Sequence, residues 1–161
     1  MIRPATPLDS PSIARLYNHY VLNSHATFEE TPISLDEMAI RINRVLDDHL
    51  PWLVMEENGA ILGFTCAVKW RERSAYRYSV ESSIYIDPAH TGQGFGVLLY
   101  TVLIDQLKPL GIHAVMAGIA QPNPASVALH QKLGYEKVAH FKEVGWKFNR
   151  WIDVGYWELI I

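Results

Sequence analysis

Apolar residues recur along this chain with two different periods, which separate predicted helices from predicted strands. Apolar positions three and four residues apart follow Ser10-Pro11 and Ser34, and they predict two amphipathic helices. Ser10 is the expected N-cap of the first helix, and Ser34-Leu35-Asp36-Glu37 is a capping box for the second. Shorter apolar or alternating runs predict strands over residues 2–5, 52–55, 61–68, 79–86, 113–119, 138–144 and 154–161.

Two further helices and one hairpin complete the predicted order of elements. Asn58-Gly59 is typical of a two-residue hairpin turn, because both turn residues need positive φ. One helix runs from Gly94 to about Lys108, and another begins at Asn123-Pro124. A strand–helix–strand unit with a helix of this length predicts a right-handed crossover and a parallel strand pair. The fold class is therefore α/β, with a mixed sheet flanked by helices.

A glycine-rich turn joins the strand that ends at Ile86 to the helix that begins at Gly94. Its sequence is Asp87-Pro88-Ala89-His90-Thr91-Gly92-Gln93-Gly94-Phe95-Gly96. Unpaired N–H groups at the helix N-terminus, together with the helix dipole, favour a phosphate-bearing ligand. Glycines without a Cβ atom let a diphosphate approach the main chain closely.

The glycine cluster by itself is also compatible with an ordinary turn. No Gly-Lys-Ser/Thr follows it, so it is not a Walker loop. The spacing Gly92-x-Gly94-x-Gly96 is too short for a dinucleotide-binding fingerprint. The residues around the turn must therefore decide between a phosphate site and a simple connection.

Several polar and aromatic residues near this unit are candidates for chemistry, and each has a structural alternative. Glu81 lies mid-strand, where a glutamate more often marks a solvated sheet face. His130 on the last helix is most simply a histidine that satisfies a neighbour. Phe28 either anchors its loop or forms a pocket wall. The arginines of residues 69–77 are either solvated or receive an anionic group, and residues 145–153 form an expected aromatic and basic loop.

Composition narrows the function classes. The 161 residues predict one domain spanning 1–161, and 49% hydrophobic residues are enough for a core. A formal net charge of −3 with scattered basic residues gives no reason to expect nucleic acid as a partner. The single cysteine, Cys66, excludes an intramolecular disulfide and a Cys-based zinc site. No signal-peptide pattern and no membrane-length apolar run is present, so a cytoplasmic protein without a membrane partner is expected.

With these motifs in place, the chain closely resembles the GNAT superfamily of N-acetyltransferases over nearly its whole length. Asp87-Pro88 with the glycine turn is followed about 30 residues later by the second signature, Asn123-x-x-Ser126-x-x-x-His130-x-Lys132-Leu133-Gly134-Tyr135. Within the superfamily it is similar to the phosphinothricin / methionine sulfoximine N-acetyltransferase group. The residues that carry this narrower likeness are Tyr17-Asn18-His19-Tyr20, Pro51-Trp52-Leu53-Val54, Trp70-Arg71-x-Arg73-x-Ala75-Tyr76, Val80-Glu81-Ser82-Ser83-Ile84-Tyr85, Leu129-His130, Gly145-Trp146-Lys147-Phe148 and Trp151-x-Asp153-Val154-Gly155.

The resemblance implies acetyl-CoA as cosubstrate, no metal, a homodimer, and acetylation of the α-amine of a small amino-acid analogue. It implies proton handling by Glu81 and His130. The implied coenzyme contacts are Ile84, Tyr85, Ile86, Thr91, Gly92, Gln93, Gly94, Phe95, Gly96, Val97, Asn123 and Ser126. The implied acceptor contacts are Phe28, Arg73, Tyr76, Glu81, Lys147 and Phe148, of which Lys147 and Phe148, with Trp151, are candidates for the partner subunit's pocket.

The chain departs from the superfamily at two positions, and two other functions stay open. Thr91 stands where the phosphate loop usually has Arg or Gln, with Gln93 as a partial substitute. His130 stands where many members have a tyrosine acid, and this histidine is shared with the narrower group. The alternatives are a peptide or protein N-acetyltransferase and a non-catalytic acyl-CoA-binding regulator on the same fold.

Overall fold

A seven-stranded mixed sheet organises the protein in this computed structural model, which describes all 161 residues, Met1–Ile161. The strands are β1 (Ile2–Pro4), β2 (Trp52–Glu57), β3 (Ala60–Lys69), β4 (Ser79–Ile86), β5 (Ala114–Ala120), β6 (Glu136–Lys147) and β7 (Arg150–Ile160). The helices are α1 (Ser10–Asn23), α2 (Leu35–Asp47), α3 (Phe95–Leu107) and α4 (Pro124–Lys132). The strand order is β1-β2-β3-β4-β5-β7-β6, with β4 and β5 parallel, which confirms the predicted fold class.

Helices cover both faces of the sheet. Since neighbouring residues of a strand point to opposite faces, one strand contacts helices on both sides. Tyr85 of β4 packs at an edge angle against Tyr17 of α1, with ring centroids 5.0 Å apart. Ile86, the next residue, lies on the other face, where the space at Gly63 is filled by Ile86 and by Leu99 of α3. No helix of the structure is both long enough and apolar enough to cross a membrane.

The structure confirms the predicted hairpin turn and differs in detail from the two predicted helix caps. Asn58 and Gly59 have φ of 51° and 78°, which confirms the predicted hairpin turn between β2 and β3. The Ser34 hydroxyl accepts from the Glu37 N–H at 3.1 Å, but the Glu37 carboxylate bonds Arg41 instead of returning to Ser34. Only half of the predicted capping box therefore forms. The first helix begins one residue earlier than expected, since Asp9 is its N-cap and Ser10 is already helical.

The expected loop over residues 145–153 is wrong, because these residues form a β-hairpin. β6 continues to Lys147 and β7 starts at Arg150, so the two-residue turn is Phe148-Asn149. Both turn residues have positive φ, 51° and 59°, as a tight hairpin requires. The Trp146 and Trp151 rings pair across the strands with centroids 4.8 Å apart. A phenylalanine in that backbone conformation is uncommon, so its sequence carries no clear turn signal.

Candidate active site

The site begins where the parallel pair of strands comes apart. β4 and β5 pair only at Ser79↔Ala114, Val80↔Val115 and Glu81↔Met116. Beyond Glu81, β4 continues its strand ladder only with β3, while β5 continues with β7. A cavity of about 620 Å³ lies at this divergence, lined by residues 82–86 of β4 and 117–120 of β5. The position beyond the carboxyl ends of parallel strands is where such folds bind ligands.

The glycine turn and the start of α3 form one wall of this cavity. Gly94 is the N-cap of α3 with φ of 85°, and Gly92 also has positive φ, 75°. The backbone N–H groups of residues 92–96 donate to no backbone carbonyl. A Cβ atom added at Gly94 would meet no protein atom within 4 Å. These free donors and the open space beside them suit the oxygens of a diphosphate.

Most of the coenzyme contacts implied by the sequence lie on the cavity wall. The structure brings together Ile84, Tyr85, Ile86, Thr91, Gly92, Gly94, Phe95, Gly96, Val97, Asn123 and Ser126. Gln93 is the exception, because its side-chain amide is turned back to the Ala89 carbonyl at 3.5 Å. A role for Gln93 in place of the usual phosphate-loop side chain gains no support from this position.

Helix α4 brings His130 to the same cavity. The Asn123 side chain caps this helix by accepting from the Ser126 N–H at 3.1 Å. His130 lies two turns further on and is buried, with Nδ1 2.7 Å from the Ser126 carbonyl oxygen and Nε2 3.1 Å from the Tyr100 hydroxyl. Burial lowers the pKa of His130, and the bond to the Ser126 carbonyl offsets part of this effect. The imidazole is therefore neutral near pH 7.

Glu81 lies at the last residue pair of the parallel ladder, just behind the cavity wall. It does not line the cavity itself, but its Oε1 lies 3.2 Å from the point where a Cβ of Gly118 would stand, and Gly118 does line it. Burial raises the pKa of Glu81, while Arg71 and the Gly118 backbone oppose the rise. A carboxyl group with a raised pKa is a stronger base once it is ionised.

The residues expected to contact the acceptor do not line the cavity. Phe28 packs its ring onto Gly145, where an added Cβ would come within 2.2 Å of the ring. Arg73 and Tyr76 lie in the exposed connection between β3 and β4, and Phe148 lies in the turn between β6 and β7. None of these four residues therefore forms part of the cavity wall.

Lys147 differs most from its expected place. Its side chain is buried, and its ammonium group donates to the Ser24 and Thr27 carbonyl oxygens of its own chain, both at 2.7 Å. Burial lowers the pKa of Lys147, with Glu30 and Glu29 opposing this effect. The ammonium group thus holds the segment after α1 against β6, and Lys147 does not line the cavity.

Several lining residues were missed by the sequence reasoning. The end of α1 and the segment after it contribute Tyr20, Ser24, His25 and Ala26. Ser24, His25 and Ala26 belong to no motif, and Tyr20 lies in a stretch that carries only the likeness to the narrower group. Their place depends on α1 crossing β4, where the Tyr20 hydroxyl donates to the Ile86 carbonyl at 2.6 Å. Tyr100 carries a usable signal, since it lies four residues after Gly96 and therefore shares its helix face.

No group of three or more His, Cys, Asp and Glu side chains is placed to hold a metal ion. The polar groups of chemical interest are the backbone amides of residues 92–96, the His130 imidazole on the cavity wall and the Glu81 carboxyl group behind that wall. This set can bind a phosphate-bearing ligand, accept a proton and donate hydrogen bonds to developing negative charge.

Comparison with known proteins gives concordant matches. The model of the acetyltransferase (GNAT) domain matches residues 2–155. The L-methionine sulfoximine/L-methionine sulfone acetyltransferase of Salmonella typhimurium is 39% identical over 98% of this chain and 92% of its own length. A phosphinothricin acetyltransferase from Sinorhizobium meliloti, solved with acetyl-CoA, is 38% identical with a TM-score of 0.96, over 100% of this chain and 88% of that one. The ribosomal-protein-alanine N-acetyltransferase of Brucella melitensis is 34% identical with a TM-score of 0.97, over 100% and 99%.

Proposed function

This chain belongs to the GNAT acetyltransferase family, and from this premise we propose that it transfers an acetyl group from acetyl-CoA to the α-amine of a small amino-acid analogue. The enzyme class and the cosubstrate follow from the family and from the acetyl-CoA complex of the Sinorhizobium meliloti relative. The observation that carries the proposal is the cavity at the divergence of β4 and β5, which is bordered by free amide donors.

The coenzyme fits this cavity through main-chain groups. The N–H groups of residues 92–96 are oriented by the start of α3 and would hold the diphosphate oxygens. Gly92 and Gly94 permit the backbone conformation that exposes these donors. Because Thr91 offers only a short hydroxyl, we assign most of the diphosphate affinity to the backbone.

The acceptor class is proposed from two relatives whose names specify methionine sulfoximine, methionine sulfone and phosphinothricin. All three are amino-acid analogues with a tetrahedral sulfur or phosphorus centre in the side chain. In this chain Arg73 and Tyr76 remain the proposed contacts for the carboxylate or the tetrahedral group, with Phe28 as a wall. Because these residues are exposed in the single chain, we propose that a second subunit completes the acceptor pocket around them.

Glu81 is the proposed general base. The acceptor amine arrives as an ammonium ion and must lose a proton before it attacks the thioester carbonyl. Since Glu81 lies behind Gly118 and not on the cavity surface, we propose that it takes this proton through one water molecule. Its raised pKa reduces the energetic gap between the carboxyl group and the amine.

His130 is the proposed second proton carrier. Its neutral imidazole can accept a proton during amine deprotonation and return it to the thiolate that leaves. The developing oxyanion needs a hydrogen-bond donor, and backbone N–H groups around Ile84 to Ile86 are the proposed source.

An acceptor screen tests this function. Free thiol released from acetyl-CoA is measured with a panel of amino acids that includes methionine sulfone, methionine sulfoximine and phosphinothricin. We expect turnover with at least one of these acceptors, and a loss of about 10²–10⁴-fold in kcat/KM in Glu81→Gln and in His130→Ala. Wild-type kcat/KM in both variants would contradict the assigned roles.

Protein N-acetylation is the second candidate, since the Brucella melitensis relative is a ribosomal-protein-alanine N-acetyltransferase. The same screen with peptides that begin with alanine distinguishes the two functions. Turnover of these peptides with no turnover of free amino acids would favour this alternative.

A homodimer and a cytoplasmic location remain predictions. A homodimer is favoured by the exposed aromatic face of the β6–β7 hairpin, where Trp146 is 45% exposed and Trp151 is 60% exposed. Neighbouring exposed aromatic side chains of this kind are typical of interaction surfaces. Sedimentation of the protein and of Trp151→Ser tests this prediction, with a shift of the variant toward monomer expected.

A further inference from the structure

Tyr100 contacts the only nitrogen of His130 that is free to gain a proton. A carbonyl oxygen can only accept, so the 2.7 Å contact with Ser126 requires a hydrogen on Nδ1. The neutral imidazole then has its lone pair on Nε2, 3.1 Å from the Tyr100 hydroxyl. The direction of this second bond follows, because the hydroxyl must donate to Nε2.

Both partners are shielded from bulk water but border the coenzyme cavity. Tyr100 is 1% exposed and His130 is 2% exposed. Tyr100 and His130 both belong to the cavity wall. Tyr135, the other aromatic residue packed on the imidazole, is not part of that wall, and its hydroxyl lies 3.4 Å from Ser82. No charged side chain is hydrogen-bonded to the imidazole or to the Tyr100 hydroxyl.

We propose that the Tyr100 hydroxyl relays protons between the cavity and His130 Nε2. This inference rests on the proposed function, in which His130 carries a proton during acetyl transfer. In the forward step the Tyr100 O–H bond breaks as an N–H bond forms on Nε2. At the same time the hydroxyl oxygen takes the proton that the amine nitrogen releases when it attacks the thioester carbonyl, which is a second proton, distinct from the ammonium proton assigned to Glu81. Tyr100 ends neutral, His130 ends as the imidazolium, and the nitrogen of the tetrahedral intermediate ends neutral. The reverse step returns the proton to the cavity, to the leaving thiolate or to water.

The chain offers a matched pair of variants for the test. Tyr100→Phe removes the hydroxyl that donates to Nε2, and Tyr135→Phe removes a buried hydroxyl from the same aromatic cluster without touching the imidazole nitrogens. Both variants keep their rings, which pack on His130 with centroids 5.1 Å and 5.0 Å away. For both variants we measure steady-state kinetics across pH and the NMR titration of His130. The His130 signal is assigned as the one that is missing in His130→Ala.

In Tyr100→Phe we expect kcat to fall by about 10–10²-fold, with KM for acetyl-CoA changed less than about twofold. The neutral imidazole loses the hydrogen bond that stabilised it, so the pKa of His130 rises and the acidic limb of the kcat profile moves to higher pH. Tyr135→Phe should leave kcat and the His130 titration unchanged. Wild-type kcat and titration in Tyr100→Phe, with activity lost in His130→Ala, would overturn the relay but not the proposed function.

Wild-type activity in His130→Ala would instead remove the role of His130 on which the relay depends. A second measurement needs no variant at Tyr100 and holds even if Tyr100→Phe does not fold. The ¹⁵N chemical shifts of His130 in the wild-type protein report which ring nitrogen carries the hydrogen. We expect the Nδ1–H tautomer, and the Nε2–H tautomer would overturn the relay.

Discussion

The free backbone N–H groups of residues 92–96 at the cavity wall predict a specific effect of adding one methyl group at Gly94. This residue has φ of 85° and caps α3 at the edge of the cavity. A Cβ at this position meets no protein atom within 4 Å. Gly94→Ala therefore has two separable effects, which are strain in the backbone and a change in the surface presented to the diphosphate.

The magnitudes follow from these two effects. A non-glycine residue in the left-handed region costs about 1–2 kcal/mol. In a protein of 161 residues each kcal/mol lowers Tm by roughly 2–4 °C, so a decrease of roughly 2–8 °C is expected. Alanine keeps the backbone N–H, but its methyl group occupies the open space beside the turn and holds the diphosphate away from the amides. Losing one amide hydrogen bond to a charged phosphate in this way costs about 1.5–3 kcal/mol, which corresponds to a Kd for coenzyme A about 10–150-fold weaker.

Gly59→Ala is the matched control. Gly59 has φ of 78° and equally open space around its Cβ position, but it lies in the β2–β3 turn and not on the cavity wall. The Tm of both variants should fall by a similar amount in thermal unfolding. Calorimetric titration with coenzyme A should show weaker binding only for Gly94→Ala. Equal affinity of the two variants for coenzyme A would refute the assignment of this turn to the diphosphate.

Three further predictions follow from the site. Because burial raises the pKa of Glu81, the free energy of unfolding should fall as the pH rises from the ordinary carboxyl range to that pKa, and kcat/KM should rise over the same range. Urea unfolding and rate profiles across pH measure the two trends, and Glu81→Gln should remove both. Gly145→Ala must displace the Phe28 ring, at a cost of about 1–3 kcal/mol in urea unfolding, and should raise KM for the amine but not for acetyl-CoA. Lys147→Met should speed amide hydrogen exchange of residues 24–27 by roughly tenfold or more, since each lost charged hydrogen bond is worth about 1.5–3 kcal/mol; unchanged exchange would contradict the anchoring role.

The elements predicted best from the sequence are those set by contacts close along the chain. The Asn58-Gly59 turn, the Asn123 cap of α4 and the glycine turn before α3 each depend on residues within a few positions of one another. Such signals survive folding because their hydrogen bonds and φ angles are local. They were enough to predict the hairpin turn, the start of α4 and the glycine turn that leads into α3.

The elements that were mispredicted depend on distant partners. The hairpin over residues 145–153 forms because Trp146 pairs with Trp151 and β7 joins β5, although Phe148 is a poor turn residue. Lys147 was expected to face a ligand, but folding buries its ammonium against carbonyl groups about 120 positions earlier in the chain. Neither outcome is encoded in a short window of sequence.

The amino-acid sequence alone determined the order of elements and the glycine-rich turn, since both are matters of residue type and spacing, and the resemblance to the GNAT superfamily linked that turn to Asn123 and His130. Only the tertiary structure decided that β4 and β5 diverge after Glu81, and which side chains line the resulting cavity. It also decided that the Tyr100 hydroxyl faces His130 Nε2. The physical reason is that the protonation and orientation of a buried group depend on the partners that folding brings to it, and these partners come from separate helices and strands.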